Sequence, residues 1–275
     1  MERNEIKGAV KKVLHRVFQE IRPGVSLDRN GYTTTAEENL IDSVFMSDFE
    51  EDLGQGGGNE LNGKFRAVHS SSALAVNVFG PFKRHLTNLI LLGEVGFNSL
   101  EFEKKCLTGL QGQPPNLDVV AQSGDAVIGI ESKFTEYLQP HVAKFSDAYR
   151  EKIRDERRKG AWFEEMRHLT KEPDHYTYLD AAQLIKHAFG LWYTFRDRSV
   201  SLLYVYWEPT NARMHQVFRK HREEIDRLAE RVVGSTPTFR AMSYAEVWRM
   251  WENNGAPDWL RKHVERLRAR YGVAV

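Results

Sequence analysis

One short segment of alternating apolar residues constrains the fold of this chain more than any other feature. In residues 116–122 and 126–134 the pattern changes from a helical to an alternating period, with polar residues at Asn116, Asp118, Glu131 and Lys133 among apolar ones, which is typical of a β-strand. Between them stands Gly124-Asp125, a glycine-first pair suited to a two-residue hairpin turn. The segment is therefore predicted to be an antiparallel hairpin, and its register can be counted from the turn.

The counted register brings charged residues together. Ser123 pairs with Ala126 at the turn, so Asp118 is predicted to lie directly opposite Glu131. Lys133 is two residues beyond Glu131, and the alternation of a strand puts both side chains on the same face. The other face is expected to be apolar, with Leu117, Val119, Ala121, Ile128 and Ile130.

These charged residues indicate a chemistry. Two carboxylates with Cβ atoms about 5 Å apart on paired strands repel each other, so a bound cation would stabilise them. Hard carboxylate oxygens without a nearby cysteine or histidine suit Mg²⁺, with Mn²⁺ as a substitute, rather than Zn²⁺. Lys133 would offset the negative charge that develops on a scissile phosphate. The hairpin predicts phosphodiester hydrolysis, with Asp118 and Glu131 as metal ligands and Lys133 as a catalytic residue.

The rest of the chain predicts an α/β fold. Before the hairpin, the pattern indicates an amphipathic helix at 5–21, a glycine-rich loop at 54–59, helix at 59–92 with a break at Gly80-Pro81, and a strand at 100–106. After the hairpin it indicates two surface helices within 141–171, a helix at 180–195 capped by Asp180, and a strand at 200–207. The chain from 211 to the C-terminus is predicted to be helical, with breaks at 234–237 and 255–257. The order around the hairpin is helix, three strands, helix, strand. We expect three segments: a helical extension with its loop (1–58), a core (59–210), and a C-terminal helical region packed on the core (211–275).

Composition narrows the class of protein. The 39 basic and 38 acidic residues give a net charge of +1, so any surface for a polyanion must be local. A single cysteine, Cys106, cannot form an internal disulfide, and no apolar run approaches the ~20 residues that span a bilayer. We expect a soluble, cytoplasmic protein with no membrane partner.

At this point the sequence resembles a known superfamily. Asn116-Leu117-Asp118, followed after the hairpin turn by Ile130-Glu131-Ser132-Lys133, is similar to the signature of the PD-(D/E)XK nucleases. Pro115 precedes Asp118 by three positions, so the proline part of the motif is imperfect. The region from Asn59 to Glu208 is also similar to a group of bacterial proteins described as candidate restriction endonucleases. The resemblance implies a restriction-endonuclease-like core with a mixed sheet, Mg²⁺ as cofactor and DNA as substrate.

The resemblance also implies further site residues. The superfamily often adds an acid from the helix before the first strand, and Glu60 is the first choice for it, with Glu103 in reserve. A polar residue from the helix after the third strand corresponds to Gln183, and Lys186 nearby is a candidate phosphate contact. Glu60 also has an ordinary structural interpretation as an acid at the N-terminus of a helix, where it favours the helix dipole.

DNA contacts are expected from basic residues between the third strand and the Gln183 helix. Arg154, Arg157 and Arg158 are candidates, although interleaved acids also fit a salt-bridged solvent face. Two other functions stay open: a catalytically inactive nuclease-fold module that binds nucleic acid, and a structure-selective repair or recombination nuclease. The oligomeric state, with a homodimer as one option, is left open by the sequence.

Overall fold

The computed structural model describes residues 2–55 and 60–275. Its α-helices are α1 (Glu2–Ile21), α2 (Glu50–Gln55), α3 (Ser71–Phe79), α4 (Asp147–Lys152), α5 (Ala161–Lys171), α6 (Ala181–Thr194), α7 (Gln216–Arg231), α8 (Tyr244–Asn253) and α9 (Asp258–Tyr271). Its β-strands are β1 (Ser99–Lys105), β2 (Asn116–Gln122), β3 (Ala126–Lys133), β4 (Ser199–Tyr206) and β5 (Thr238–Ser243).

The five strands form one mixed sheet in the order β1-β2-β3-β4-β5. β1, β2 and β3 are antiparallel neighbours, whereas β3, β4 and β5 run parallel to one another. The parallel pairing of β3 with β4 is possible because the long connection between them contains α4, α5 and α6. The α/β fold class and the predicted order of helix, three strands, helix and strand are confirmed.

Most predicted elements lie where the sequence pattern placed them. The four predicted strands begin and end within one residue of β1 to β4, and α4 and α5 are the two helices expected within 141–171. The predicted helix at 180–195 is α6, and the side chain of Asp180 caps it by accepting a hydrogen bond from the Gln183 N–H at 3.0 Å. The first amphipathic helix is α1, which buries Val10, Leu14 and Phe18.

Three predictions about secondary structure were wrong. Residues 60–70 are turns and 3₁₀ helix rather than α-helix, and after α3 ends at Phe79 only short 3₁₀ turns follow. The region from 211 onward is not wholly helical, because β5 pairs with β4 along the sheet edge. Gly54 and Gln55, predicted as loop, belong to α2, while the rest of the predicted glycine-rich loop, 56–59, lies outside the described residues.

Two hydrophobic clusters cover the two faces of the sheet. One contains Val119 and Ile130 together with side chains of α1, α3, α8 and α9. The other contains Val127 and Leu202 together with side chains of α5, α6 and α7. The first cluster includes Val10, Ile130 and Leu267, one from each of the three predicted segments, so these segments share a core. In the described ranges, no helix has both the length and the apolar character that a membrane crossing requires.

Candidate active site

The β2–β3 hairpin has the register that was counted from its turn. The N–H of Ser123 donates to the carbonyl of Ala126 at 3.0 Å, and the regular pairing continues outward to Val119 opposite Ile130. One step further, the Asp118 side chain accepts a hydrogen bond from the Ser132 N–H at 2.6 Å. The Asp118 carboxylate therefore lies against the backbone of β3 at Ser132, the residue between Glu131 and Lys133.

The prediction for Leu117 was wrong. It was expected on the same face as Val119, but it packs in the cluster on the α6 side of the sheet. The strand alternation changes next to Asp118. The regular β1–β2 pairing omits this residue, and opposite it on β1 lies Glu103, which has a positive φ of 48°. Leu117 instead lies over Gly129, where a Cβ would be 2.8 Å from its Cδ1 atom, so a larger residue at this position would force the Leu117 side chain to move.

Glu131 and Lys133 lie side by side on β3 and reach toward α6. The Nζ of Lys133 is 2.5 Å from Oε1 of Glu131 and donates to Oε1 of Gln183 at 2.9 Å. Gln183 is in the first turn of α6, which Asp180 caps, so the cap fixes the position of this amide. The structure thus brings together four of the predicted residues, Asp118, Glu131, Lys133 and Gln183.

His187 is a site residue that the sequence analysis missed. Its Nε2 lies 2.9 Å from Oε2 of Glu131, and both side chains are almost fully buried. Neither atom has another polar partner closer than this among the described residues, so the approach of His187 is the close contact of Oε2 of Glu131. The expectation that no histidine lies near the carboxylates was wrong. Helical spacing could have identified this residue, because positions 183 and 187 share one face of α6.

Two further acids approach the site from the other side. Glu60 and Glu103, the two candidates for the additional acid, lie close enough together that burial and the charge of Glu60 raise the pKa of Glu103 to about 7. Glu131 contributes to the same shift, and burial together with Glu131 raises the pKa of Asp118 well above its ordinary value. The negative charges of neighbouring carboxylates therefore oppose the ionisation of Glu103 and of Asp118.

The route by which Glu60 reaches the site differs from the prediction. It is not part of the helix that becomes α3 but lies in a turn eleven residues before Ser71. Its Oε1 accepts a hydrogen bond from Ser72 Oγ at 2.7 Å, which ties the turn to the first turn of α3. Glu103 instead reaches the site from β1, and its positive φ is a backbone conformation that a non-glycine residue seldom adopts.

Glu131 and Lys133 both stay ionised. Burial would raise the pKa of Glu131, but Lys133 and then His187 lower it to about 2. Burial would likewise lower the pKa of Lys133, but Glu131 and Asp118 hold it above its ordinary value. At neutral pH the site consequently presents a carboxylate and an ammonium group that are both charged and both shielded from water.

The donor set fits a hard divalent cation. The site offers carboxylate oxygens of Asp118, Glu131 and Glu103, and Oε2 of Glu131 is buried without a hydrogen-bond partner. Oxygen donors of this kind suit Mg²⁺ or Mn²⁺. Within the described residues, no three oxygens of this group lie within 4.8 Å of one another, so an ion would have to draw them closer together.

The basic residues proposed to contact DNA have different environments. Arg154 and Arg158 are exposed, each near the carbonyl of Ile153. Lys186 is half-buried, with its Nζ 5.6 Å from the ring centre of Phe145.

Arg157 is at odds with the prediction. Its guanidinium is buried, pairs with Asp155 at 2.7 Å and donates to the carbonyl of Thr108 at 2.7 Å. The guanidinium also lies 5.3 Å from the ring centre of Trp192. With its donors engaged inside the protein, Arg157 stabilises the fold here, and we propose no phosphate contact for it.

Comparison with known proteins yields one match. A family model described as "Restriction Endonuclease associating with ARP" matches residues 4–272, nearly the whole chain. This confirms the predicted resemblance to restriction endonucleases and supports a nuclease-like function. No curated protein and no solved structure matches the chain.

Proposed function

This chain belongs to the family of restriction endonucleases associating with ARP, and we propose that it is a divalent-metal-dependent nuclease that hydrolyses phosphodiester bonds in DNA as a restriction-type endonuclease. One observation carries the proposal beyond family membership. The Lys133 ammonium lies between Glu131 and Gln183, at 2.5 and 2.9 Å, beside the Asp118 carboxylate that is held against β3. A purely structural sheet would gain little from charges in this buried position.

Asp118 and Glu131 are the residues that would hold the metal ion, with Glu103 or Glu60 adding a further oxygen. Mg²⁺ bound there would polarise the phosphate and lower the pKa of a bound water. In the described site, Lys133 is the one ammonium group close to these carboxylates. A metal ion would supply the further positive charge that balances them. The hydrogen bond from the Ser132 N–H keeps the Asp118 carboxylate oriented toward its neighbours.

Lys133 is the proposed electrostatic catalyst. Its charge is retained at neutral pH, and its Nζ is positioned by Glu131 and Gln183, so little reorganisation is needed when negative charge develops on a phosphate. Gln183 would act through Lys133 as a positioning residue. His187 would orient the Glu131 carboxylate through Oε2, the oxygen that does not contact Lys133.

Cleavage of supercoiled plasmid tests the proposal. The parent protein should cut with Mg²⁺ or Mn²⁺ and not with a chelator, and Asp118→Asn should not cut. Asp125→Asn is the matched control, because Asp125 lies in the turn of the same hairpin, away from the site. Folded parent protein that binds DNA but cuts with neither metal would support an inactive binding module instead.

A further inference from the structure

A second cluster of metal-ligating side chains lies at the end of α5. His168, Glu172 and His175 each offer a ligand atom, and these atoms all lie within 4.8 Å of one another. Among the described residues, this is the one group of three or more histidine, cysteine or acidic side chains that meets this limit. None of the three belongs to the candidate active site.

Local backbone structure produces the cluster. His168 is in the last turn of α5, and the Glu172 N–H continues the helix by donating to the carbonyl of His168 at 2.9 Å. The N–H of His175 then donates to the carbonyl of Glu172 at 3.2 Å, which turns the chain back. The two imidazole rings consequently meet edge to face, with centroids 4.5 Å apart.

The Glu172 carboxylate faces the Nδ1 atoms of both rings. Nδ1 of His168 is 3.9 Å from one oxygen of Glu172, and Nδ1 of His175 is 3.6 Å from the other. These separations are longer than hydrogen bonds. The Nε2 atoms of both rings are buried and also have no partner among the described residues. Two imidazoles that converge on one carboxylate without bonding to it leave a space that an ion could occupy.

We propose that His168, Glu172 and His175 bind a borderline divalent ion such as Zn²⁺. Two imidazole nitrogens and one carboxylate oxygen are a usual protein ligand set for zinc, with a fourth position left for water. The carbonyl end of a helix carries partial negative charge, so the C-terminus of α5 also favours a cation here. The nitrogen donors distinguish this site from the all-oxygen set proposed for Mg²⁺.

The ion would hold the start of the segment that leads into the active-site helix. The end of that segment is already fixed, because Glu224 accepts hydrogen bonds from the N–H groups of Thr177, Tyr178 and Leu179 at 2.7 to 2.9 Å. Among the residues that the structure describes, no side chain anchors its start at Glu172 in this way, and the Glu172 side chain is 62% exposed. Zinc would join it to α5 and so stabilise the approach to Asp180 and Gln183.

The test is zinc binding by the full chain, measured by competition with a chromophoric chelator in excess Mg²⁺. An Asp118→Asn background keeps zinc from the carboxylates of the active site. In that background we expect tight binding of one zinc ion, lost in His168→Asn and His175→Asn. Glu172→Gln should weaken binding by at least about tenfold, a loss that even an outer-shell partner can cause. Unchanged zinc affinity in these variants would overturn the proposal.

A matched control separates ligand loss from surface effects. Glu164 lies on α5, as His168 does, and its side chain is 60% exposed, close to the 62% of Glu172. Glu164 pairs with Arg167 and not with the histidines. Glu164→Gln should bind zinc like its parent. Zinc should raise the melting temperature of the parent and of Glu164→Gln by the same amount, and should raise that of Glu172→Gln by less, because its zinc affinity is lower. Because Glu172 is exposed, its variant should fold even if the histidine variants do not. An equal rise in all three would also overturn the proposal.

Discussion

Glu131 and Lys133 form an ion pair inside the protein, with 2.5 Å between Oε1 and Nζ and with only 1% and 14% of their side chains exposed. An exposed pair of this kind would matter little for stability. A buried pair costs desolvation free energy when it forms, and loss of one partner leaves an uncompensated charge. The relationship therefore makes Lys133 important for the metal-free fold as well as for the proposed reaction.

Lys133→Ala should affect both properties. Without metal, we expect the free energy of unfolding to fall by about 3 to 5 kcal/mol, because the buried Glu131 loses the ammonium group that compensates its charge. With Mg²⁺, cleavage should slow by roughly a hundred- to a thousandfold, while DNA binding in Ca²⁺ persists. Denaturant unfolding and plasmid cleavage measure the two effects.

Lys104 offers a control for Lys133. It also pairs with a glutamate on the sheet, Glu101 at 2.7 Å, but both side chains are 34% exposed. Lys104→Ala should cost only about 0.2 to 1 kcal/mol and leave cleavage intact. A folded Lys133→Ala protein that cuts at the parental rate would rule out this site.

Asp118→Asn should abolish cleavage and should raise the stability of the protein without metal. The amide oxygen can still accept the hydrogen bond from Ser132, and repulsion with Glu131 disappears, which should add up to roughly 1 kcal/mol. The rise in melting temperature that Mg²⁺ gives the parent should be absent. If Mg²⁺ stabilised Asp118→Asn as much as the parent and Asp125→Asn, the ion would bind elsewhere.

Neighbouring arginines should separate DNA binding from folding. Arg154 and Arg158 are exposed, and both can be replaced by alanine. The slope of the logarithm of DNA affinity against the logarithm of salt concentration should become shallower by about 0.9 for each phosphate that is no longer neutralised. The melting temperature should not change. Arg157→Ala should lower the melting temperature instead, because it leaves the Thr108 carbonyl without its donor. An unchanged salt slope in the double variant would assign Arg154 and Arg158 to an ordinary solvent-exposed face.

Buried histidines should make the protein sensitive to acid. Burial lowers the pKa of His221 to about 3 and that of His263 to about 4. Below the ordinary value of about 6.5 the unfolded chain gains protons that the folded chain does not, so stability should fall as pH drops from 6.5 toward 4. Each histidine contributes about 1.4 kcal/mol per pH unit to that slope.

His221→Phe tests this origin of the acid sensitivity. A phenyl ring can keep the stacking on Tyr137, where the centroids are now 3.9 Å apart, and it cannot take up a proton. The absolute stability should change because the hydrogen bond with the Tyr204 hydroxyl can no longer form, whereas the slope against pH should flatten by about one proton. Denaturant unfolding at several pH values gives both quantities, and an unaltered slope would refute the assignment to His221.

Local patterns in the sequence were sufficient for the strands and for the centre of the site. The alternation in 116–134 and the Gly124-Asp125 turn determined β2, β3 and their register, because side-chain direction and turn length fix the pairing of a hairpin. Asp180 likewise marked the start of α6, and with it the position of Gln183. These features depend on residues close together in the chain.

Only the tertiary structure decided which distant residues complete the site. The sequence analysis missed β5 because its six residues gain their strand conformation from pairing with β4. It missed His187 because the partner of that histidine, Glu131, lies 56 positions earlier in the chain. The exposure of Arg157 was misjudged because its acceptor Thr108 lies far away in sequence. Sequence patterns report local backbone preference and side-chain direction, whereas burial and charge pairing depend on contacts between segments that meet only when the chain folds.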